Sequence, residues 1–275
     1  MESKGIPFIE IFDNIPGKGI DVNIWNSCYE GCECSTCFVE DSQINSKCVC
    51  VGIMSQTNNY DTKYRLNVNY LDENWSLNLF PINECHSECA CTNDQCTNRV
   101  VQNGPYFNFE VFTCEITAKG KGLRTSDFIP KGSFVIEYMG EVISLDVAKN
   151  LFEIRSGLSE PNYIMFLKEF YSNKMCMAST VIDARNYSNF GRYINHSCEP
   201  NLFVLPVRIE NIVPHAALFS LRDIYAGEEL CYDYNGTVGI SQIEGSDLKK
   251  EKGSIECLCG SSKCTGFLPM TDLNI

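Results

Sequence analysis

The chain has 275 residues, 44% of them hydrophobic and 11% aromatic, which suits one large domain with small appendages and excludes a wholly disordered protein. The chain has 22 Lys and Arg against 35 Asp and Glu, for a net charge of −13. This charge favours a basic partner. The sequence lacks the cluster of basic residues that is typical of a duplex-binding groove. The sequence contains no run of about 18 apolar residues, so no membrane span is predicted. The start, MESKGIPFIEIFDN, does not resemble a secretory signal, so we expect an intracellular protein without a membrane partner.

The N-terminal third of the chain is predicted to contain little regular structure. Residues 1–27 contain Pro and Gly and are predicted to form an irregular leader. Residues 28–98 are rich in cysteine and poor in periodic elements, so we expect bound metal rather than an apolar core to hold them together.

The cysteine spacing in this region predicts a zinc cluster. The chain has 17 cysteines but only three histidines, and in a reducing compartment such spacings indicate metal sites. Three four-coordinate zinc ions need twelve bonds, and nine thiolates supply them when three sulfurs bridge. The predicted ligands are Cys32, Cys34, Cys37, Cys48, Cys50, Cys85, Cys89, Cys91 and Cys96.

The alternative for these cysteines is a disulfide framework in a secreted protein. The absence of a signal peptide and the close C-x-C pairs, which form strained disulfides, weigh against it. Cys28 lies just outside the set, and its membership is left open.

After Asn98 the sequence predicts a mainly β, non-parallel fold with few helices. SLDVAKNLFEIRSG predicts a helix that ends at Gly157, and the polar stretch from Asn235 to Gly253 predicts a flexible connector. Short strands are predicted in FNFEVFTCEI, in GSFVIEYMGEVI on both sides of Gly140, in NYIMFLKEFY, MCMASTVIDA, NLFVLPVRIE and AALFSLRDI, and after GEEL.

The C-terminal cysteines predict a further structural zinc site. CLCGSSKC supplies Cys257, Cys259 and Cys264, which leaves a four-coordinate zinc one ligand short. Cys198, in the segment RYINHSCEPN, is the candidate fourth ligand and would attach the tail to the centre of the molecule. The total is then four zinc ions per chain. The remaining cysteines are predicted to pack as small hydrophobic residues: Cys114, Cys176 and Cys231.

Five motifs, in order, resemble those of SET-domain histone-lysine methyltransferases. They are KGKGLRT, FIPKGSFVIEYMGEV, GRYINHSCEPNL, GEELCYDYNG and CLCGSSKCTGFLP. The resemblance implies a knotted β fold, rare among proteins, in which the RYINHSC and CYDY segments pass one through the loop of the other. It also implies a pre-SET zinc region at 28–98, a SET catalytic domain at 108–235 and a post-SET zinc motif at 253–270.

The resemblance further implies methyl transfer from S-adenosylmethionine to a lysine amine of a histone H3 tail or nucleosome. The nucleus and the chromosome are the implied location. The motif class is similar to enzymes that methylate lysine 9, whereas PVRIENIVPHAALF is similar to the methyltransferase half of a mariner-transposase fusion protein associated with lysines 36 and 4. Sequence-specific DNA binding is not expected.

Site residues follow from the resemblance, position by position. Tyr234 is expected to orient the reactants while water removes the proton, Tyr163 to line the cofactor and the lysine channel, and Tyr232 to border that channel. Lys121 replaces the family's usual tryptophan, so stacking on the cofactor is lost. Phe267 or Leu268 is a candidate cover for the cofactor. The expected cofactor-binding residues are Lys119, Gly120, Lys121, Tyr163, Arg192, Asn195 and His196.

Two other classes of function are weighed against the enzyme. One is a zinc scaffold that binds histone tails with a decayed site, which Lys121 favours and the intact NHSC and YDY motifs oppose. The other is a zinc-cluster DNA reader, which the net charge of −13 opposes.

Overall fold

The computed structural model describes residues 6–35, 37, 48–51, 58–67, 81–157, 162–170, 176–235 and 255–269. In this part of the chain the fold is mainly β, as predicted, with two α-helices, α1 (Val22–Trp25) and α2 (Leu145–Gly157). Neither has the length and apolar character of a membrane-spanning helix. The predicted connector, beyond Asn235, lies outside the described residues.

Fourteen short strands are present in the described residues. They are β1 (Ile9–Glu10), β2 (Ile15–Pro16), β3 (Ile82–Asn83), β4 (Phe109–Thr113), β5 (Lys121–Thr125), β6 (Phe134–Tyr138), β7 (Glu141–Ile143), β8 (Ile164–Phe170), β9 (Cys176–Asp183), β10 (Tyr187–Ser188), β11 (Asn195–His196), β12 (Leu202–Arg208), β13 (His215–Ser220) and β14 (Cys231–Tyr232). The predicted strands after Asn98 and the predicted helix are confirmed.

The strands form two larger sheets and two pairs. A six-stranded sheet has the order β11-β14-β12-β13-β6, with β3 also paired to β12. A four-stranded sheet has the order β2-β7-β9-β8, and the two pairs are β1-β10 and β4-β5. Strand β12 contains Pro206, which is opposite Ala216 of β13, while β14 meets β12 at Leu202 and β3 meets it at Val207 and Arg208.

The central strands separate two apolar cores by simple alternation. In β12, Leu202 and Val204 face one core while Phe203 and Leu205 face the other. This period of two is expected for a strand that is buried on both faces. The first core contains Tyr232 and therefore underlies the segment that the motifs identify as functional.

The prediction of an irregular leader is wrong at three short elements within residues 6–27. Strand β1 pairs in parallel with β10, and β2 pairs in parallel with β7. Helix α1 is capped by Asp21, whose side chain accepts a 2.8 Å hydrogen bond from the Asn23 amide. These elements have two to four residues, which is too short for hydrophobic periodicity to reveal them.

A buried carboxylate joins the cysteine-rich region to the β domain. Glu84 is 0% exposed and accepts hydrogen bonds from the amides of Val100 and Val101 at 2.8 and 2.7 Å and from the Tyr60 hydroxyl at 2.7 Å. Burial raises the pKa of this carboxyl group. The satisfied carboxylate therefore fixes the chain immediately after the cysteine region.

Candidate active site and metal centres

The two motif segments lie side by side because β11 and β14 are paired in parallel. Asn195 is opposite Cys231, and His196 is opposite Tyr232. Strand β12 joins the same ladder through Leu202 and Tyr232. Residues 36 positions apart in the sequence thus form one short surface, as the resemblance implies.

The Asn195 side chain connects three parts of this surface. Its amide nitrogen lies 2.8 Å from a Glu229 carboxylate oxygen, 3.2 Å from the Lys121 carbonyl oxygen and 3.5 Å from the Cys114 sulfur. Glu229 also pairs with the Lys119 ammonium at 2.9 Å. The structure therefore brings the KGKG motif and the NHSC motif together, with Glu229 between them.

Gly120 provides an open backbone surface beside Asn195. It ends a 3₁₀ turn over Thr117–Lys119 and has φ +74°, a conformation that favours glycine. A Cβ atom placed there would meet nothing within 4 Å. The neighbouring Lys121 is exposed, and its ammonium lies 5.9 Å from the centre of the Tyr193 ring. A ligand can therefore approach the main chain closely at this turn.

His196 is buried and neutral at pH 7, because burial lowers its pKa to about 4. Its Nδ1 accepts a 3.2 Å hydrogen bond from the Tyr234 amide, which places the ring proton on Nε2. That Nε2 lies 3.4 Å from the Cys198 sulfur. His196 thus links the predicted cofactor surface, the Tyr234 backbone and the predicted post-SET zinc site.

Tyr234 is held by hydrogen bonds at its backbone amide and at its hydroxyl. Its hydroxyl donates a 3.1 Å hydrogen bond to the carbonyl oxygen of the buried Ile194, while 42% of the residue remains exposed. Its ring lies 4.9 Å from the Tyr232 ring and 5.3 Å from the His196 ring, between centroids. Burial raises the pKa of both Tyr232 and Tyr234. Both phenols are therefore neutral at pH 7 and serve as donors rather than bases.

Tyr232 and Tyr234 form one wall of a narrow pocket. Strand β8, at the edge of its sheet among the described strands, also lines the pocket. Most of the residues that line the pocket are apolar. The other lining residues are Met165, Phe166, Leu167, Lys168, Val204 and Pro206.

Arg192 supports the site from behind Tyr163. It is 6% exposed, and its guanidinium lies 4.1 Å from the Tyr163 ring centre and 4.5 Å from the Phe8 ring centre. It also donates a 3.1 Å hydrogen bond to the Arg185 carbonyl oxygen. These cation–π contacts hold the Tyr163 ring in place.

The N-terminal cysteines converge with spacings that suit zinc. Cys37 and Cys85 sulfurs lie 3.3 Å apart, and those of Cys50 and Cys89 lie 3.6 Å apart. A disulfide has sulfurs about 2.05 Å apart, whereas four sulfurs at about 2.3 Å from one zinc lie roughly 3.8 Å apart. The described cysteines form no disulfide.

The cysteines group into overlapping sets of four, as expected when ions share sulfurs. The ligand atoms in each set lie within 4.8 Å of one another, and Cys32 belongs to all three. Cys89 groups with Cys50, and Cys96 is buried in the same cluster. Cys28 is exposed and outside these groups in the described residues. The three sets are Cys32-Cys37-Cys85-Cys91, Cys32-Cys48-Cys50-Cys85 and Cys32-Cys34-Cys37-Cys48.

A separate group of four joins the C-terminal tail to the site. The sulfurs of Cys198, Cys257, Cys259 and Cys264 lie within 4.8 Å of one another, so the structure unites the residues predicted for this zinc.

The other cysteines and the tail differ in exposure. Cys114 is buried and Cys231 is half-buried, while the Cys176 side chain lies outside the described residues. Phe267 and Leu268 are half-buried near this group, where the Leu268 amide donates to the Ile255 carbonyl.

Two residues of the site were not predicted from the sequence. Glu229 bridges Asn195 and Lys119, and its position inside the GEELCYDY motif could have indicated it. Tyr138 is buried and donates a 2.8 Å hydrogen bond to the Tyr163 carbonyl oxygen. All residues of its strand are buried, so the sequence pattern gives no sign that Tyr138 differs from the other core residues.

Sequence comparison matches the central part of the chain to a family model and nearly the whole chain to a curated relative. The SET domain model matches residues 120–235. The mouse histone-lysine N-methyltransferase SETMAR is 38% identical over 271 residues, which are 98% of this chain and 82% of the relative. This bears out the resemblance to SET-domain histone-lysine methyltransferases and to SETMAR in particular.

Two solved structures resemble the fold over nearly its whole length. The methyltransferase domain of human SETMAR is 35% identical, with a TM-score of 0.74 over 96% of this chain and 89% of that one. KRYPTONITE, solved in complex with mCHH DNA, an H3(1-15) peptide and SAH, is 28% identical, with a TM-score of 0.67 over 95% of this chain and 48% of that one. The expected SET fold is confirmed.

Proposed function

Because this chain belongs to the family of SET-domain histone-lysine N-methyltransferases, we propose that it methylates a lysine of the histone H3 tail, at position 9, 36 or 4. The observation that carries the proposal is the pairing of β11 with β14. It brings Asn195 and His196, which we propose as cofactor-binding residues, beside the pocket lined by Tyr232 and Tyr234.

Lys119, Gly120, Lys121, Asn195 and His196 are the proposed holders of S-adenosylmethionine. The residues fit such a group because Gly120 leaves its backbone open and Asn195 fixes the Lys121 carbonyl. When bound, S-adenosylmethionine supplies an electrophilic methyl group on a positively charged sulfur. Backbone approach at Gly120 does not require the usual tryptophan, so Lys121 is compatible with binding.

The lysine side of the reaction needs a neutral amine held in line. The free pKa of lysine is about 10.4, and an apolar pocket lowers it. Tyr234 orients the amine, because its ring borders the pocket and its hydroxyl is fixed by Ile194. A phenol with a raised pKa is a poor base, so water accepts the proton. Orientation of this kind contributes strongly to rate.

The pocket also supports a limit on the number of methyl groups. Tyr232 is 6% exposed and lies at the pocket wall beside Tyr234. Its hydroxyl offers a hydrogen bond to a water or to the amine in the space that a third methyl group needs. We therefore propose mono- and dimethyl-lysine as the products.

The H3 tail is proposed to bind as an additional strand along β8. This strand is an edge of its sheet in the described residues, and edge strands accept peptides through main-chain hydrogen bonds. The net charge of −13 favours a basic tail, whether as a peptide or in a nucleosome. The proposed location is accordingly the nucleus and the chromosome, without sequence-specific DNA binding by this chain.

Four zinc ions per chain are proposed as structural cofactors. Three are proposed for the cluster of the nine N-terminal cysteines as a whole, and one for the group of Cys198, Cys257, Cys259 and Cys264. Thiolate donors in closed sets of four are typical of structural zinc. The last ion attaches the tail beside His196, whose ring lies 3.4 Å from Cys198.

The decisive experiment incubates the protein with radiolabelled S-adenosylmethionine and recombinant nucleosomes or H3, followed by mass spectrometry of the modified peptides. Label on one H3 lysine supports the proposal and identifies the position. Binding of H3 without label in the wild type supports the zinc scaffold instead. Binding of DNA without label supports the DNA reader.

A further inference from the structure

His86 is a buried imidazole for which protein hydrogen bonds give no account. It is 0% exposed, and neither Nδ1 nor Nε2 has a hydrogen-bonding partner among the residues that the structure describes. Burying a polar group without a partner is unfavourable. A histidine kept at such a position has another interaction.

The surroundings of His86 point to a metal. Its ligating nitrogen and the sulfurs of Cys50 and Cys89 all lie within 4.8 Å of one another, and the two sulfurs are 3.6 Å apart. The Tyr29 ring covers the imidazole, with 4.3 Å between centroids. The Tyr29 hydroxyl is already engaged with backbone carbonyl oxygens of Glu84 and Ile209, so it leaves the imidazole nitrogens unpaired.

The Cys89 sulfur already has two hydrogen-bond donors. It accepts hydrogen bonds from the amides of Cys32 and His86 at 3.4 and 3.3 Å. The sulfur of Cys89 therefore does not need the imidazole as a further hydrogen-bond donor. A metal ion shared by Cys50, His86 and Cys89 would instead give the imidazole a partner.

We propose that His86 is a nitrogen ligand of the zinc ion held by Cys50 and Cys89. Zinc binds imidazole nitrogen at about 2.0–2.1 Å and thiolate at about 2.3 Å, and three ligand atoms within 4.8 Å of one another are close enough to share one ion. With nine thiolates and one imidazole, three four-coordinate ions need only two bridging sulfurs instead of three. The cluster then contains one mixed nitrogen–sulfur site.

Cadmium-113 in place of zinc tests this bond directly in the full-length chain. The chain has only three histidines, so ¹⁵N-labelled histidine rings are readily resolved. We expect one ring nitrogen of His86 to show scalar coupling to cadmium, and this resonance to vanish in His86→Asn. His215, paired with Glu137 at 2.7 Å, serves as the uncoupled reference. Absence of coupling at both His86 nitrogens overturns the proposal, and this measurement uses wild-type protein alone.

Metal retention provides a second test that does not depend on methyl transfer. We expect His86→Asn to lose one zinc to a chelator at a concentration about 100-fold lower than the wild type needs. His86→Cys, which restores a ligand atom, should recover retention, and His215→Asn is the matched control outside the cluster. If His86→Asn retains zinc as well as the wild type does, His86 is not a ligand. The same conclusion follows if His86→Cys fails to recover zinc retention and the His86 ring nitrogens show no coupling to cadmium.

Discussion

The Asn195 amide and the Glu229 carboxylate meet at 2.8 Å, and Glu229 pairs in turn with Lys119. Removal of the amide in Asn195→Ala leaves Glu229 without one partner and releases the Lys121 carbonyl. Because the surface loses two hydrogen bonds of about 1 kcal/mol each, we expect cofactor affinity to fall up to roughly 30-fold while the fold is kept. Isothermal calorimetry measures this change.

Glu229→Gln is the companion variant for Asn195. It keeps an oxygen that accepts from Asn195 but removes the charge that pairs with Lys119, so its loss of affinity should be smaller. Equal cofactor affinity in Asn195→Ala and the wild type would show that this surface does not hold the cofactor.

Tyr234→Phe separates chemistry from binding. The hydroxyl bond to Ile194 is lost while the ring stays against His196 and Tyr232. We expect kcat to fall about 100-fold, as for misplacement of a reacting group, with cofactor affinity unchanged. Single-turnover kinetics with an H3 peptide and calorimetry are measured on the same protein. A variant with full turnover would remove Tyr234 from its orienting role.

Much of this architecture could be predicted because its patterns are local or are ordered motifs. The apolar run of β12 and the helix over Leu145–Gly157 follow from composition and periodicity, and the cysteine groups follow from spacing. By contrast, β1 and β10 form a parallel pair of two residues each. Such contacts depend on tertiary placement and have no periodic pattern.

The candidate site divides in the same way. Asn195, His196 and Tyr234 stand in motifs and could be named from the sequence, whereas the role of Glu229 depends on which side chains the fold brings to it. The position of Arg192 between Tyr163 and Phe8 required the structure, because Phe8 lies in the leader that the sequence predicted to be irregular.

Cys264→Ser should remove a single zinc ion. Cys264 belongs to the group that attaches the tail beside His196, and a serine hydroxyl is a poor zinc ligand. Elemental analysis should show three ions instead of four, with loss of most activity. Cys28→Ser, at an exposed cysteine outside the groups, is the control and should keep all four. One or two ions in folded wild type would exclude the shared-sulfur cluster.

His215 predicts a loss of stability at alkaline pH. It is 9% exposed, with Nδ1 2.7 Å from Glu137 and 3.9 Å from Asp13. Burial opposes the charge, but the Glu137 and Asp13 carboxylates and the more distant Glu84 outweigh it and raise the pKa to about 9. Because this exceeds the unfolded value of about 6.5, the stabilisation is complete below pH 6.5 and disappears as the pH rises through 9.

The free energy of unfolding should therefore fall by up to roughly 3 kcal/mol between about pH 6.5 and 9. Urea unfolding of the wild type and of His215→Gln at both pH values separates the contribution of His215 from that of the cysteines. The variant should be less stable than the wild type at pH 6.5. Its free energy of unfolding should change much less between pH 6.5 and pH 9. The same pH dependence in both proteins would exclude His215 as its source.

Tyr232→Phe should change how many methyl groups are added. The Tyr232 ring lies in the pocket wall, 4.9 Å from the Tyr234 ring, and its neutral hydroxyl can hold a water where a third methyl group would fit. Phenylalanine loses that hydrogen bond, a net of about 0.5–1.5 kcal/mol, so the water leaves more readily and the rate of the last transfer rises up to roughly tenfold. Time-resolved mass spectrometry of an H3 peptide should show mono- and dimethyl-lysine from the wild type and a shift toward trimethyl-lysine from the variant. Abundant trimethyl-lysine from the wild type, or identical products from the two proteins, would mean that Tyr232 serves only as part of the core.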